Sequence, residues 1–224
     1  MNTCKQLLGA VALLAAGLAT TSAQLIISEV HPTGSSASTY AADWFELSNI
    51  GSSAIDLTGW KFDDSSPSFA TAVALRGVTS ILPGQSIIFL ESNATGSNDG
   101  TIGAAFQSAW FGSSGPAGLL LGFYGGSGIG LSSGGDAVNI FNAGGTLVVG
   151  VTFGAATTGV TFDNAAGLSG VVSQLSVAGV NGVFNSLAGS EVGSPGVVPE
   201  PTALSLGLAG LTALIFRQRV VARR

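Results

Sequence analysis

Thiols, histidine and positive charge are scarce in this sequence. Cys4 is the single cysteine, His31 is the single histidine, and Lys and Arg together number seven among 224 residues. Cys4 lies close to the start, so the rest of the chain has no disulfide and a zinc site is not expected. Between residues 25 and 201 only Lys61 and Arg76 oppose twelve acidic residues. That balance predicts no nucleic-acid partner and disfavours anionic membrane surfaces.

Charged residues of both signs are also few, whereas glycine is abundant. Charged residues make up 8% of the chain, and glycine contributes 34 residues. Glycine costs about 1 kcal/mol in a helix interior, so this composition disfavours long helices. It suits short strands joined by tight turns. The part between the two ends, about 170 residues, is long enough for one well-buried core.

Residues 1–23 have the order of a secretory signal peptide. Lys5 precedes an apolar stretch over residues 7–19, and small residues follow at positions that include Thr21 and Ala23. The stretch is too short to span a bilayer core of about 30 Å permanently. We therefore predict an N-terminal signal helix that is removed between Ala23 and Gln24, and an exported chain.

The C-terminal end combines a short motif, an apolar run and a basic end. The motif consists of Val198, Pro199, Glu200 and Pro201. The uncharged run 202–216 would form about 22 Å of helix, which predicts a transmembrane helix. The basic residues are Arg217, Arg219, Arg223 and Arg224. They should stay cytoplasmic as a stop-transfer signal, which leaves the preceding domain outside.

Motif, apolar run and basic end in this order resemble the PEP-CTERM sorting signal over residues 198–224. The resemblance implies that an exosortase, a membrane-embedded transpeptidase-like enzyme, recognises and processes the tail. It also implies association with cells that make exopolysaccharide. A plain membrane anchor is the alternative interpretation, although such an anchor does not need Pro-Glu-Pro at the boundary.

Between the two ends, short apolar segments alternate with turn residues. The segments are 25–30, 43–50, 54–62, 86–91, 119–124, 137–141 and 146–153, with a weaker one at 171–177. Many short strands with frequent turn signals predict an all-β sandwich, with a barrel as the second choice.

Individual side chains in these segments can be assigned to faces. Successive side chains of a strand point to opposite faces, so Phe45 and Leu47 should share one face and Trp44, Glu46 and Ser48 the other. We expect Glu46 to be hydrogen-bonded to nearby backbone.

Trp60 directly follows Gly59 in the segment 54–62. We expect its ring to pass under a tight turn into the core.

Six separated elements of the domain resemble the lamin tail domain in content and order. They are 27–30 (ISEV), 43–49 (DWFELSN), 55–60 (IDLTGW), 82–85 (LPGQ), 135–140 (GDAVNI), and Gly145 with 151–153 (VTF). The resemblance covers residues 25–155 and implies an immunoglobulin-like β-sandwich with a binding or structural role. The chain departs from the pattern by a Gly/Ser-rich insertion after Glu91 and by an extension after residue 156.

Catalytic and metal-binding patterns are weak. The stretch 130–134 matches G-x-S-x-G around Ser132, but that motif needs a strand-to-helix turn and a later histidine. We interpret the match as chance and His31 as a surface residue. Several loop residues could offer oxygen ligands to calcium. The preferred interpretation of these residues is that they form turns and are exposed to solvent. These loop residues are Asp63, Asp64, Asn98, Asp99, Asp136 and Asn139.

The sequence thus predicts a signal peptide (1–23), a lamin-tail-like sandwich (24–155), an extension that completes the β domain or serves as a linker (156–197), and a sorting signal (198–224). We expect a non-enzymatic cell-surface or extracellular-matrix protein without a cofactor, whose partners are an exosortase and the membrane. Exopolysaccharide or another surface protein could bind the domain. The alternative function is a carbohydrate-binding module that stacks sugars on Trp44, Trp110 and Tyr124.

Overall fold

The computed structural model describes residues 25–113, 115–126, 128–163 and 174–198. These residues form fourteen strands and two helices. The strands are β1 (Leu25–His31), β2 (Trp44–Asn49), β3 (Ile55–Asp56), β4 (Lys61–Asp63), β5 (Val73–Ala74), β6 (Ser80–Ile81), β7 (Ser86–Ser92), β8 (Leu120–Gly125), β9 (Asp136–Phe141), β10 (Leu147–Phe153), β11 (Phe162–Asp163), β12 (Gln174–Leu175), β13 (Phe184–Asn185) and β14 (Val192–Gly193). The helices are α1 (Gly34–Ala37) and α2 (Asp99–Phe111).

Two main sheets contain ten of these strands. The first has the order β12-β11-β1-β2-β7-β8, and the second has the order β10-β9-β4-β5. Neighbouring strands in both sheets are antiparallel, except that β7 and β8 run parallel. Parallel neighbours need a crossover rather than a hairpin, and the crossover here contains α2. The pairs β3–β6 and β13–β14 form two small sheets.

An aromatic core fills the space between the main sheets. The ring centroid of Phe45 lies 4.9 Å from that of Phe62 in the opposite sheet, and 5.5 Å from those of Phe89 and Tyr124. All four side chains are fully buried, and such ring contacts add to the free energy gained by burying apolar surface. Leu47 belongs to the same core, so the predicted all-β sandwich and the predicted inner face of β2 are confirmed.

Trp60 reaches this core from a tight turn, as the sequence predicts. Its backbone N–H donates to the carbonyl of Leu57 at 3.0 Å, and the intervening Gly59 has φ of 76°. A residue with a Cβ would be strained in this left-handed conformation. The glycine therefore allows the turn that directs the Trp60 ring into the core.

The predicted segments agree with the longer strands. Segments 25–30, 43–50, 86–91, 119–124, 137–141 and 146–153 correspond to β1, β2 and β7 to β10. Segment 54–62 is divided by the Gly59 turn into β3 and β4. In segment 171–177, residues 171–173 lie outside the described residues and β12 follows them. Strands β5, β6, β11, β13 and β14 have two residues each and are too short to show a periodic pattern.

Helix α2 forms although the composition disfavours long helices. It has 13 residues and packs on the outer face of the six-stranded sheet, the face turned away from the four-stranded sheet. Phe106 and Trp110 are one turn apart and lie beside Trp44. Residues four apart share one face of a helix, so burial of these two rings outweighs the unfavourable propensity of Gly100 and Gly103.

After β10 the chain returns to the six-stranded sheet. Strand β11 pairs with β1, and β12 pairs with β11. We call residues 184–198, which include β13 and β14, the strap. Its turn contacts the end of α2, where the N–H of Ala188 donates to the carbonyl of Ala109 at 2.9 Å. The strap therefore covers the outer face of the sheet beside α2.

Candidate functional site beneath the strap

Most of the residues assigned to sorting and signal cleavage lie outside the described residues. These are Ala23, Gln24, Pro199, Glu200, Pro201, Arg217, Arg219, Arg223 and Arg224, together with the segments 1–23 and 202–216. Val198 is the last described residue and is half-buried. No described helix has both the length and the apolar character needed to cross a membrane.

The three rings proposed to stack on sugars are buried, which corrects that expectation. Trp44, Trp110 and Tyr124 are 0%, 2% and 0% exposed. The rings of Trp44 in β2 and Trp110 in α2 pack edge to face, with their centroids 5.9 Å apart. Tyr124 lies in the core between the sheets. A sugar ring could not reach any of these faces, so they are core residues.

His31 is also buried, whereas the sequence predicted a surface histidine. Its Nε2 lies 2.9 Å from Glu191 Oε1, and both side chains are 0% exposed. The two residues are 160 positions apart in the sequence, so the strap brings the carboxylate to the end of β1 and covers the imidazole. A sequence pattern around Pro32 could not reveal this partner.

A β-bulge in β1 directs His31 and Glu29 outward. The pairing of β1 with β2 shifts between Ile27 and Glu29, and the extra residue of a bulge changes which side chains share a face. Ile27 and Val30 therefore both join the core between the sheets. Glu29 and His31 turn to the outer face, beneath the strap.

Tyr40 connects Glu191, the partner of His31, to Trp44 and Trp110. Its hydroxyl donates to Glu191 Oε1 at 2.5 Å and accepts N–H bonds from Trp44 at 2.9 Å and Trp110 at 3.2 Å. Burial and the neighbouring Glu191 carboxyl raise the pKa of Tyr40 well above its ordinary value. The network satisfies polar groups that would be costly to bury alone, and it joins β1, β2, α2 and the strap.

A second polar cluster centres on two carboxyl groups from adjacent strands. Glu29 and Glu46 are directly paired in the register of β1 and β2, and both are buried. Ser194 N–H donates to Glu29 Oε1 at 2.7 Å, and Gly196 N–H donates to Glu46 Oε2 at 2.5 Å. Ser28 Oγ also donates to Glu46 Oε1 at 2.7 Å. The expectation that Glu46 bonds to backbone is confirmed, although that backbone belongs to the strap.

The surroundings of this pair favour the neutral carboxyl form. Burial, and secondly the charge of Glu46, raise the pKa of Glu29 well above its ordinary value. Burial raises the pKa of Glu46 to about 7, although hydrogen bonds from Gly196 and Ser28 act in the opposite direction. Removing water from a carboxylate without supplying a cation disfavours its charge.

Several of the residues considered for calcium accept hydrogen bonds in turns, whereas Asp99 begins α2 and Asn139 lies in β9. Asp63 Oδ2 accepts hydrogen bonds from Ser66 Oγ at 2.6 Å and Ser68 N–H at 2.7 Å. Asp136 Oδ2 accepts from Ser132 N–H at 2.8 Å. In the part of the chain that the structure describes, no three His, Cys, Asp or Glu side chains are grouped to hold a metal ion.

The stretch around Ser132 forms a turn that leads into β9 rather than into a helix. This geometry differs from the strand-to-helix turn that a G-x-S-x-G nucleophile requires. The interpretation of the motif as a chance match agrees with that difference.

The outer-face residues that sequence reasoning missed are Glu29, His31, Tyr40 and Glu191. The available signal was weak: Glu46 stands between Phe45 and Leu47, and Glu29 lies within the apolar segment that forms β1. Such a position implies burial, but it does not identify a partner that is more than a hundred residues away.

Two facing sheets around an aromatic core define an immunoglobulin-like domain, a fold that can act as a binding or structural module. A family model described as the Lamin Tail Domain matches residues 19–155. The match covers more than half of the chain, so the protein belongs to the lamin tail domain family. A comparison with curated proteins found no match.

Proposed function

We propose that this protein is exported and works at the cell surface or in the extracellular matrix. Its lamin tail domain serves as a structural, adhesive or binding module rather than as an enzyme. Its C-terminal end is a sorting signal that an exosortase recognises and processes. The only histidine in the sequence is enclosed with Glu191, which favours a non-catalytic role for the domain.

The observation that carries the proposal is the short distance along the chain between a fixed residue of the strap and the predicted sorting motif. Gly196 N–H is bonded to buried Glu46, and two residues later Val198 leads into Pro199 and Glu200. From Val198 to the first residue of the apolar run is four residues, at most about 14 Å of extended chain. A tail inserted in the membrane would thus hold the domain and the Pro-Glu-Pro motif close to the bilayer surface.

The N-terminal end supports export in a similar way. The signal-peptide pattern ends at Ala23, and β1 begins at Leu25. Cleavage between Ala23 and Gln24 would remove the apolar stretch and leave every residue of β1. The sandwich would then begin almost at the new N-terminus of the exported chain.

The mass of the mature protein isolated from producing cells tests both ends. Processing by an exosortase should remove the four C-terminal arginines, whereas a plain anchor should retain Arg224. Glu200→Ala should abolish tail removal and leave the fold unchanged. The matched control is Asp56→Ala, which removes an exposed turn carboxylate and should be processed normally.

Deletion of residues 199–224 supplies the second measurement of the same experiment. We expect the shortened protein to appear in the medium or the periplasm rather than with the cell envelope. Unchanged location after the deletion, or normal tail removal in the Glu200→Ala variant, would contradict the sorting signal. The assignment to the lamin tail domain family would stand in either case.

A further inference from the structure

Glu29 and Glu46 form a buried pair of acids that binds the strap. The strap donates one backbone N–H to each carboxyl group, from Ser194 and from Gly196. Glu29 Oε1 also accepts a hydrogen bond from Thr161 Oγ1 at 2.5 Å, while Glu29 Oε2 is buried without a partner. The strap is thus attached to the sheet directly through two side chains whose charge depends on pH.

No positive charge faces this pair from the described elements packed around it. Strand β11 adds Asp163, whose charge raises the pKa of Glu29 further. The strap adds Glu191, which is paired with His31 at the end of β1. Strand β7 adds the uncharged Ser86 beside Glu46.

The two cations of the domain are engaged elsewhere. Arg76 is paired with Asp99, and Lys61 lies 4.4 Å from the ring centre of Phe69. Ionising both Glu29 and Glu46 would therefore place two like charges side by side in a buried site that neither cation faces, which is unfavourable.

We propose that Glu29 and Glu46 form a proton-operated latch, which holds residues 194–198 of the strap on the sheet while the pair keeps a proton and releases these residues when both carboxyl groups ionise. The latch is a property of the folded domain. Only its consequence for the tail rests on the proposed function. Because Val198 is two residues beyond Gly196, release would free the residues that precede the Pro-Glu-Pro motif.

The direction in which pH changes the binding of the strap follows from the pKa values of Glu29 and Glu46 in the docked state, in which the strap lies on the sheet. With the strap docked, burial raises the pKa of Glu46 from its ordinary 4.5 to about 7, and that of Glu29 in the same direction. Release of the strap would return water to both carboxyl groups and bring their pKa values back towards the ordinary range. A group whose pKa is raised on docking binds its proton more tightly in the docked state. Docking is therefore strongest below pH 4.5 and weakens as the pH rises through about 7.

Amide hydrogen exchange of the full-length chain in a nonionic detergent tests the latch. We expect protection of the Ser194 and Gly196 amides, corrected for intrinsic exchange rates, to fall at least tenfold between pH 5.5 and pH 8.5. The Glu46→Gln variant resembles the protonated acid and should remain protected at both pH values. Equal loss of protection in this variant, or no loss in the wild type, would overturn the proposal.

Glu91→Gln is the matched control. Glu91 also has a pKa raised to about 7, by burial and then by the charge of Asp43, but none of its hydrogen bonds involves the strap. This variant should lose strap protection between the two pH values as the wild type does. Protection retained in Glu91→Gln would overturn the assignment of the latch to Glu29 and Glu46.

A titration of the wild type keeps the test independent of variants. The carbon-13 shift of the Glu46 carboxyl group should titrate with a midpoint near 7, together with the amide shift of Gly196. A midpoint near the ordinary value of 4.5 would overturn the latch. Neither measurement involves tail processing, so a working latch in a chain that keeps its tail in cells would refute only the proposed function.

Discussion

Tyr40 and Tyr124 are both buried, yet their hydroxyl groups have different surroundings. The hydroxyl of Tyr40 contacts Glu191, Trp44 and Trp110. The hydroxyl of Tyr124 is buried without a hydrogen-bond partner. A buried polar group costs free energy when it lacks a partner, whereas removing an unpaired one can be neutral. The two tyrosines therefore form a natural pair for measuring the value of the outer-face network.

Replacing Tyr40 by Phe should destabilise the domain, because two indole N–H groups and the Glu191 carboxyl each lose a partner. We expect the free energy of unfolding to fall by about 2 kcal/mol or more. Tyr124→Phe should change it by less than about 0.5 kcal/mol, since no hydrogen bond is lost. Urea unfolding of the two variants compares them directly. Equal losses would show that the Tyr40 network contributes nothing beyond packing.

At the scale of elements, α2 owes its stability to packing rather than to composition. Its first residue is Asp99, whose carboxylate pairs with Arg76. Partial burial acts to raise the pKa of Asp99, but hydrogen bonds from Arg76 and Ser92 lower it below its ordinary value. This ion pair is partly exposed, so its contribution is small beside that of the buried rings.

The two glycines of α2 differ in the space around them. A Cβ on Gly100 would meet nothing within 4 Å, whereas one on Gly103 would lie 3.2 Å from the ring of Phe123. Gly100→Ala should raise the free energy of unfolding by roughly 0.5 kcal/mol, because alanine loses less backbone entropy in a helix. Gly103→Ala should show no such gain, since the ring must move. Thermal unfolding measures the stability of both variants. A larger gain in stability from Gly103→Ala than from Gly100→Ala would contradict this account of α2.

At the scale of the whole molecule, the described residues after residue 155 (156–163 and 174–198) pack on the sandwich. Phe162 of β11 contacts Phe153 in the core, and Phe184 of β13 packs against Trp110. Strand β11 also pairs with β1 through its backbone. The family match ends at residue 155, but these contacts cover β1 and the outer face.

A fragment of residues 24–155 should therefore be less stable than a fragment of residues 24–198. We expect a deficit of about 2 kcal/mol or more, because a fully buried Phe such as Phe162 contributes roughly 1.5–3 kcal/mol and the partly buried Phe184 adds to that contribution. Urea midpoints of the two fragments measure the difference. Equal midpoints would mean that the region after residue 155 behaves as a linker.

The sequence alone predicts the longer strands and the inner face of the sandwich. The alternation in β2 identifies Phe45 and Leu47 as core residues, and Gly59 marks the turn that inserts Trp60. These features are local, because strand periodicity and turn conformation depend on residues only a few positions apart. The predictions for both chain ends also rest on local order and remain predictions.

The outer face was decided by the tertiary structure. His31 and Glu191 are separated by 160 positions, and Glu46 and Gly196 by 150. No local pattern encodes such pairs, since each depends on where the whole chain returns after β10. Helix α2 likewise forms because Trp44 and Ile88 offer an apolar face to Phe106 and Trp110, although its own glycines oppose it. The local sequence determined which segments are strands, and the long-range packing decided that β1 and β2 of the six-stranded sheet are buried on both faces.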